Sequence, residues 1–315
     1  MPTPMRNKHA LVLLLTAFVP CLANAQDSPL SQWYNYAFST NPSIVGSAGK
    51  LRVHLFYRNQ WPKADAGFSY YGAEADMPVG KNMACGLLLT NDHTAAFSKP
   101  TVTGAYSYTV KLNQKSAVRG GISLGMIQKH VSTSDLIFEQ EEPTITKSSK
   151  ISLDAGIGIN LTSGSLTASV ALNHLTRPQQ GISSESDART SMKLTFDIGY
   201  TYIIKPATWK NGIELTPNVI FQRHGTQQNL QISVINHVKG LLTGLGCRKN
   251  LQSDPPTAIF LIGYKTEDFR IVYSYNFETN RKTNRYGNAH EISMTKLFDT
   301  GRKKKHKPID CPSFL

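Results

Sequence analysis

Alternation with a period of two, sustained over segments of about 9–14 residues, most limits what this chain can fold into. Ile151, Leu153, Ala155, Ile157, Ile159 and Leu161 alternate with Ser152, Asp154, Gly156, Gly158 and Asn160. Leu194, Phe196, Ile198, Tyr200, Tyr202 and Ile204 alternate with Lys193, Thr195, Asp197, Gly199 and Thr201. Phe269, Ile271, Tyr273, Tyr275 and Phe277 do the same with Arg270, Val272, Ser274 and Asn276. Successive strand side chains point to opposite faces, so each segment has one apolar face and one small or polar face. Helical spacing is nowhere sustained for long. The segments exceed the mean soluble strand of about 5–6 residues and match tilted membrane strands.

The pattern places strands at 50–58, 67–77, 82–91, 101–112, 117–130, 149–162, 165–175, 191–204, 211–224, 226–238, 240–248, 257–265, 268–277 and 287–298. The expected fold is all-β: a transmembrane antiparallel barrel over 50–298, of about 14 strands, an even number as in single-chain bacterial barrels. A soluble β-sandwich also alternates, but it uses shorter strands and turns its apolar face inward. Thr162–Gly164, Lys239-Gly240 and Glu267-Asp268 are tight connections, whereas 132–148, 177–190 and 278–286 are longer and polar. With strand one running outward, all three long loops fall on the extracellular side. Tyr106 and Tyr108, Tyr200 and Tyr202, and Tyr273 and Tyr275 cluster near segment ends, as aromatic girdles require. Tyrosine's ordinary preference for strands is the plainer reading.

Two segments lie outside this wall. Residues 26–49 form a lead-in carrying Trp33, Tyr34, Tyr36 and Phe38, followed by the turn NPSIVGS. Pro42 lacks a backbone donor and Gly46 and Gly49 permit tight bends, so this stretch is not a ladder strand. Its aromatics need burial. It is expected to act as a hatch in or across the periplasmic mouth, with Asn41 and Pro42 forming its turn. Residues 299–315 form a tail with Arg302, Lys303, Lys304, Lys305, His306 and Lys307 in one run. Dense like charge extends such a segment. It is expected to be periplasmic, either as a docking arm for an acidic surface or as a solvated tail that hinders lateral association.

The chain opens with the basic stretch Arg6 to His9, the apolar run Ala10 to Val19 and the A-x-A site Ala23-Asn24-Ala25. This reads as a secretory signal peptide over 1–25. The apolar run is shorter than the roughly 20 residues of a spanning helix, the alternative reading. The formal charge of +13 falls to +11 once Arg6 and Lys8 leave with that segment. In an exported chain this basic excess points to acidic headgroups or acidic proteins and away from nucleic acid. Cys85, Cys247 and Cys311 would remain, an odd number at irregular spacing that makes no disulfide framework and no zinc site. Cys311 reads as an unpaired thiol or a partner for intermolecular linkage.

Signals for chemistry are sparse. His130-Val131-Ser132 with Asp135 is similar to the His-x-Ser pair of outer-membrane phospholipases, but it sits where a strand gives way to a polar loop. Chance accounts for it better, and no nucleophile elbow or phosphate loop is present. Glu139, Glu141 and Glu142 suit a solvated loop better than a calcium site. Arg119, Asp154, Lys193, Asp197, Glu214, Arg270 and Glu291 fall on polar strand faces, where burial requires pairing or hydration. The expectation is a non-enzymatic chain with no cofactor and no metal.

The ends of the chain also carry a family resemblance. SQWYNYAF, then the Asn41-Pro42 turn, then a strand closing on YRNQW, resembles the start of PorP/SprF proteins. Near the other end, Tyr273 to Phe277 (YSYNF), His290 to Met294 (HEISM) and Cys311 to Phe314 (CPSF) are similar to that family's last strands and tail. Ala289 and Met294 depart mildly from its usual serine and leucine. The resemblance implies an outer-membrane β-barrel that partners the type IX secretion system of Bacteroidetes-type bacteria. It also implies a role in exporting or surface-attaching secreted proteins such as gliding adhesins. The competing function is that of a fatty-acid-channel-like transporter of hydrophobic small molecules, which also has about fourteen strands and an Asn-Pro turn in its hatch.

Overall fold

The structure, a computed structural model, describes residues 30–35, 37–64, 67–95, 97–131, 149–179, 188–205, 212–252, 255–280 and 284–299. The proposed signal peptide, Tyr36, Ser132, Asp135, Glu139, Glu141, Glu142, Cys311 and the run Arg302 to Lys307 lie outside the described residues. The lead-in contains one helical turn, α1 (Ala37–Thr40), and a 3-10 turn, Pro42–Ile44. The strands are β1 (Leu51–Gln60), β2 (Phe68–Pro78), β3 (Met83–Thr94), β4 (Phe97–Lys111), β5 (Ser116–Val131), β6 (Ser149–Ser163), β7 (Leu166–Asn173), β8 (Lys193–Tyr200), β9 (Tyr202–Lys205), β10 (Ile213–His224), β11 (Gln227–Val238), β12 (Leu241–Asn250), β13 (Thr257–Lys265), β14 (Phe269–Glu278) and β15 (Ala289–Phe298).

Fourteen of these strands close into an antiparallel barrel. β1 to β8 pair in sequence, β8 pairs with β10, and β10 to β15 continue in order. β15 returns to β1 with Leu51 opposite Phe298 and Gln60 opposite Ala289, which closes the ring. β9 stands outside that count. It pairs with the start of β10 in the register that β8 has already set, Leu215 opposite Tyr202 after Asn218 opposite Gly199. The strand expected over 191–204 is therefore interrupted at Thr201. That residue turns its amide to Ser165 O in the β6–β7 turn (3.0 Å) and its hydroxyl to Thr216 Oγ1 (3.1 Å).

Strand direction gives the two mouths different character. One is closed by short turns at 79–82, 112–115, 164–165, 239–240 and 266–268, with 206–212 its longest connection. β1 starts and β15 ends there. At the other, β5 leads to β6, β7 to β8 and β14 to β15 over 17, 19 and 10 residues, and β10 turns tightly into β11 at 225–226.

Alternation sorts side chains between lipid and lumen. Leu124 and Leu153 on the outer face are 70% and 68% exposed, which in a chain of this pattern marks a surface that bilayer covers. Outward tyrosines fall at two levels: Tyr106, Tyr108, Tyr200, Tyr202 and Tyr264 near the short-turn mouth, and Tyr57, Tyr71 and Tyr273 near the other. This is the girdle arrangement of outer-membrane barrels. The buried core lies inside the ring, where the inner wall meets the lead-in. Trp33 and Tyr34 pack with Ile220, Ile235, Leu242 and Val272, and Phe38 and Val45 pack with Phe56, Ala84 and Leu88.

Candidate functional site

The lead-in crosses the lumen and touches the wall on several sides. Its first described residues lie in the long-loop half. Glu291, the third residue of β15, accepts the main-chain N–H groups of Ser31 (3.0 Å) and Gln32 (2.9 Å). The same carboxylate pairs with Arg58 Nη1 at 2.8 Å, and both side chains are fully buried. Gln231 Nε2 donates to Ser31 O (2.8 Å), and the Ser31 hydroxyl meets the Asn276 side-chain amide. The Gln32 amide donates to Ser274 Oγ (3.1 Å), while Ser293 Oγ donates back to Gln32 Oε1 (2.6 Å). Arg58 is the salt-bridge partner of Glu291, and the Arg248 guanidinium also acts on this carboxylate from beside Ser31.

A second anchor lies across the ring. Asn41 caps the 3-10 turn, its Oδ1 accepting from Ser43 N (2.9 Å), as a capping side chain does. Its Nδ2 donates to Ser169 Oγ (2.9 Å), and Ser169 donates onward to Asp197. Asn173 Nδ2 donates to Thr40 O (3.0 Å). The wall has no side chain where the turn presses on it. A Cβ at Gly158 would lie 1.9 Å from Asn41 Oδ1, and one at Gly121 would lie 2.3 Å from Ser43 N.

The third anchor is at the short-turn mouth. Ser107 Oγ donates to Val45 O (2.7 Å), and Gly46 N donates to Asp76 Oδ2 (2.6 Å). Arg52 Nε holds the other oxygen of Asp76 at 2.7 Å. Lys50 then binds Asp268 (2.6 Å), and that hydrogen bond raises the lysine pKa above its ordinary value. Burial pushes the Tyr34 phenol well above its usual range, against a smaller pull from Arg270, so Tyr34 sits in the lumen neutral.

The residues singled out from sequence are distributed as follows. Trp33, Tyr34 and Phe38 are buried in the lumen, and Asn41 and Pro42 form the capped turn. Asp197 and Glu291 each support an anchor. Glu214 faces His237 at 3.4 Å, Asp154 binds His174 at 2.7 Å, and Arg119 donates to Thr109 Oγ1 at 2.9 Å. Arg270 and Lys193 are part-buried on the inner face. His130 is the penultimate residue of β5. Arg52, Arg58, Asp76, Ser107 and Gly121 were missed. Alternation assigns them to the inner face, but nothing local tells which inner residues meet the lead-in. Gly158 is a further contact that alternation does not disclose, since a Cβ there would meet the Asn41 side chain.

This site is built for holding. Each anchor uses a wall group that accepts from or donates to lead-in backbone, which fixes the segment whatever its side chains. Among the described residues no three His, Cys, Asp or Glu side chains gather to hold a metal. No helix among them is long and apolar enough to cross a membrane, which says nothing of crossing by strands.

Comparison with solved structures supports the fold. The P. putida toluene transporter TodX is 10% identical, with a TM-score of 0.50 over 84% of this chain and 94% of that one. The CymD monoaromatic hydrocarbon channel is 9% identical, with a TM-score of 0.49 over 84% and 93%. At such identities the likeness is one of barrel architecture. A sequence search of curated proteins finds no match. The model of the type IX secretion system membrane protein PorP/SprF matches residues 22–295, through the lead-in and the strands as far as Thr295 in β15. The chain therefore belongs to the PorP/SprF family of type IX secretion system membrane proteins.

Proposed function

We propose that the protein is a non-enzymatic barrel of the outer membrane that docks type IX secretion components and supports export or surface attachment of secreted proteins, gliding adhesins among them. The observation that carries this reading beyond family membership is the anchored lead-in. With residues 30–49 bonded to opposite sides of the wall, the barrel offers two faces to partners and little free passage between them. The lead-in acts as the hatch. The run Arg302 to Lys307 acts as a periplasmic docking arm for an acidic surface, since five of its six residues carry fixed positive charge. Such binding is salt-sensitive, because exposed charges are screened beyond about 8 Å at physiological ionic strength. Partners are secretion components, secreted cargo and outer-membrane lipids.

The second reading is transport of hydrophobic small molecules. It draws support from the barrel shared with a toluene transporter. The buried polar lining, with Arg52, Arg58, Asp76 and Glu291 all nearly inaccessible, weighs against it, since an apolar solute would have to pass these groups. Co-purification of the tagged protein from its native outer membrane separates the two. Secretion components or a large surface protein are expected in the eluate. A barrel that returns alone, with an apolar solute in its lumen, would favour transport. Reversing Lys303, Lys304 and Lys305 to Glu should leave the barrel at normal levels and abolish export. Wild-type export from that variant would remove the docking arm from the proposal.

A further inference from the structure

The lead-in has a direction inside the ring. Ser31 and Gln32 are held by Glu291, the third residue of β15, so only about 7 Å of strand separates their level from the long-loop mouth. Leu30 lines a cavity of about 110 Å³ in that half, where Thr90, Thr101, Thr103 and Ser123 contribute hydroxyls from the wall. Tyr34 lies lower. It lines a cavity of only about 20 Å³ with Glu214, the second residue of β10, and Lys265, the last residue of β13, both at the short-turn mouth. The chain therefore descends from Leu30 to Tyr34. It leaves by the short-turn mouth into β1, after Val45 and Gly46 have bonded to Ser107 and Asp76.

What precedes Leu30 then has one way to go. Doubling back would take it past Trp33 and Tyr34, which pack against Ile220, Ile235, Leu242 and Val272, and through a cavity with room for no more than a water or two. The other direction is the larger cavity that Leu30 already lines. With residues 1–25 removed as a signal peptide, Gln26-Asp27-Ser28-Pro29 remain ahead of Leu30. Pro29 favours extended backbone at Ser28. Four extended residues span about 13 Å, enough to pass from the level of Glu291 to the long-loop mouth. The segment is polar, and the hydroxyls of the cavity wall suit backbone groups that have no ladder to join.

We propose that the cavity at the long-loop mouth is the seat of the chain's own amino end, residues 26–29, so that the hatch runs through the ring with one end at each mouth. The inference rests on the reading of residues 30–49 as a hatch. It is tested with a Ser28→Lys variant, treated as the folded barrel with an amine-reactive bifunctional crosslinker and mapped by mass spectrometry. Links from position 28 to Lys99 or Lys193, which line the cavity, are expected. Links confined to Lys50, Lys81, Lys111, Lys115 or Lys239 at the short-turn mouth overturn the inference. They would leave the docking reading standing, since that is measured by export. A mature chain that keeps residues 1–25, read by intact mass, also overturns it. Deleting residues 26–29 gives a second measurement that needs no new side chain. Amine acylation of Lys99 and Lys193 in the folded barrel should rise severalfold, while Lys81 and Lys115 stay unchanged. No rise at Lys99 and Lys193 assigns the cavity to another occupant and sinks the proposal. An equal rise at both mouths also counts against it, since that is the signature of a loosened barrel.

Discussion

Glu291 joins two main-chain N–H groups of the lead-in to the Arg58 guanidinium, and that sharing sets what each substitution should do. Glu291→Ala leaves a buried guanidinium uncompensated, at a cost of about 3–5 kcal/mol. The double change Arg58→Met with Glu291→Leu removes both charges and should cost clearly less than the two single losses summed. Urea unfolding of the folded barrel band on gels measures both. Gly158 is the other informative position. Gly158→Ala drives a methyl into Asn41, whereas Gly120→Ala on the neighbouring strand meets nothing within 4 Å. Only the first should unseat the capped turn and open the Trp33–Phe38 stretch to protease. Equal resistance in both variants would mean that the turn does not rest on this part of the wall.

At the scale of elements, lead-in and wall obey different rules. The described lead-in residues have no ladder partners, so their backbone groups need side chains of the wall, and Ser107, Asp76 and Glu291 supply them. The wall satisfies its own backbone and spends alternate residues on lipid. Ile157 on the outer face of β6 is 45% exposed there. Ile157→Lys should therefore cost about 2–4 kcal/mol near the midplane. Reduced yield of assembled barrel, with Ile157→Val as the control, is the readout.

For the whole molecule, ring closure matters most. β15 on β1 and β10 on β11 leave no free edge around the fourteen strands. Closed ladders resist detergent, so the protein should fractionate with the outer membrane and migrate faster unheated than boiled. Appearance only as a soluble periplasmic pool would contradict the membrane barrel.

Strand number and strand faces were both legible in the chain itself. Each follows from a period-two pattern that a slip of one residue would invert, and lipid outside the ring enforces that pattern strongly. The segment 191–204 shows where the pattern outlasts the sheet: β8 ends at Tyr200 opposite Leu166, the first residue of β7, and beyond it β9 pairs with β10. The need to bury Trp33, Tyr34 and Phe38 was also local information, because no ladder strand accommodates them beside Pro42. Which wall residues receive them was not. Gly158 and Asn41, or Glu291 and Ser31, are brought together only by ring closure, across separations of 117 and 260 residues. Alternation tells that a residue faces inward. Only the closed tertiary structure decides what it faces, because the partner's position depends on the register of every strand between them.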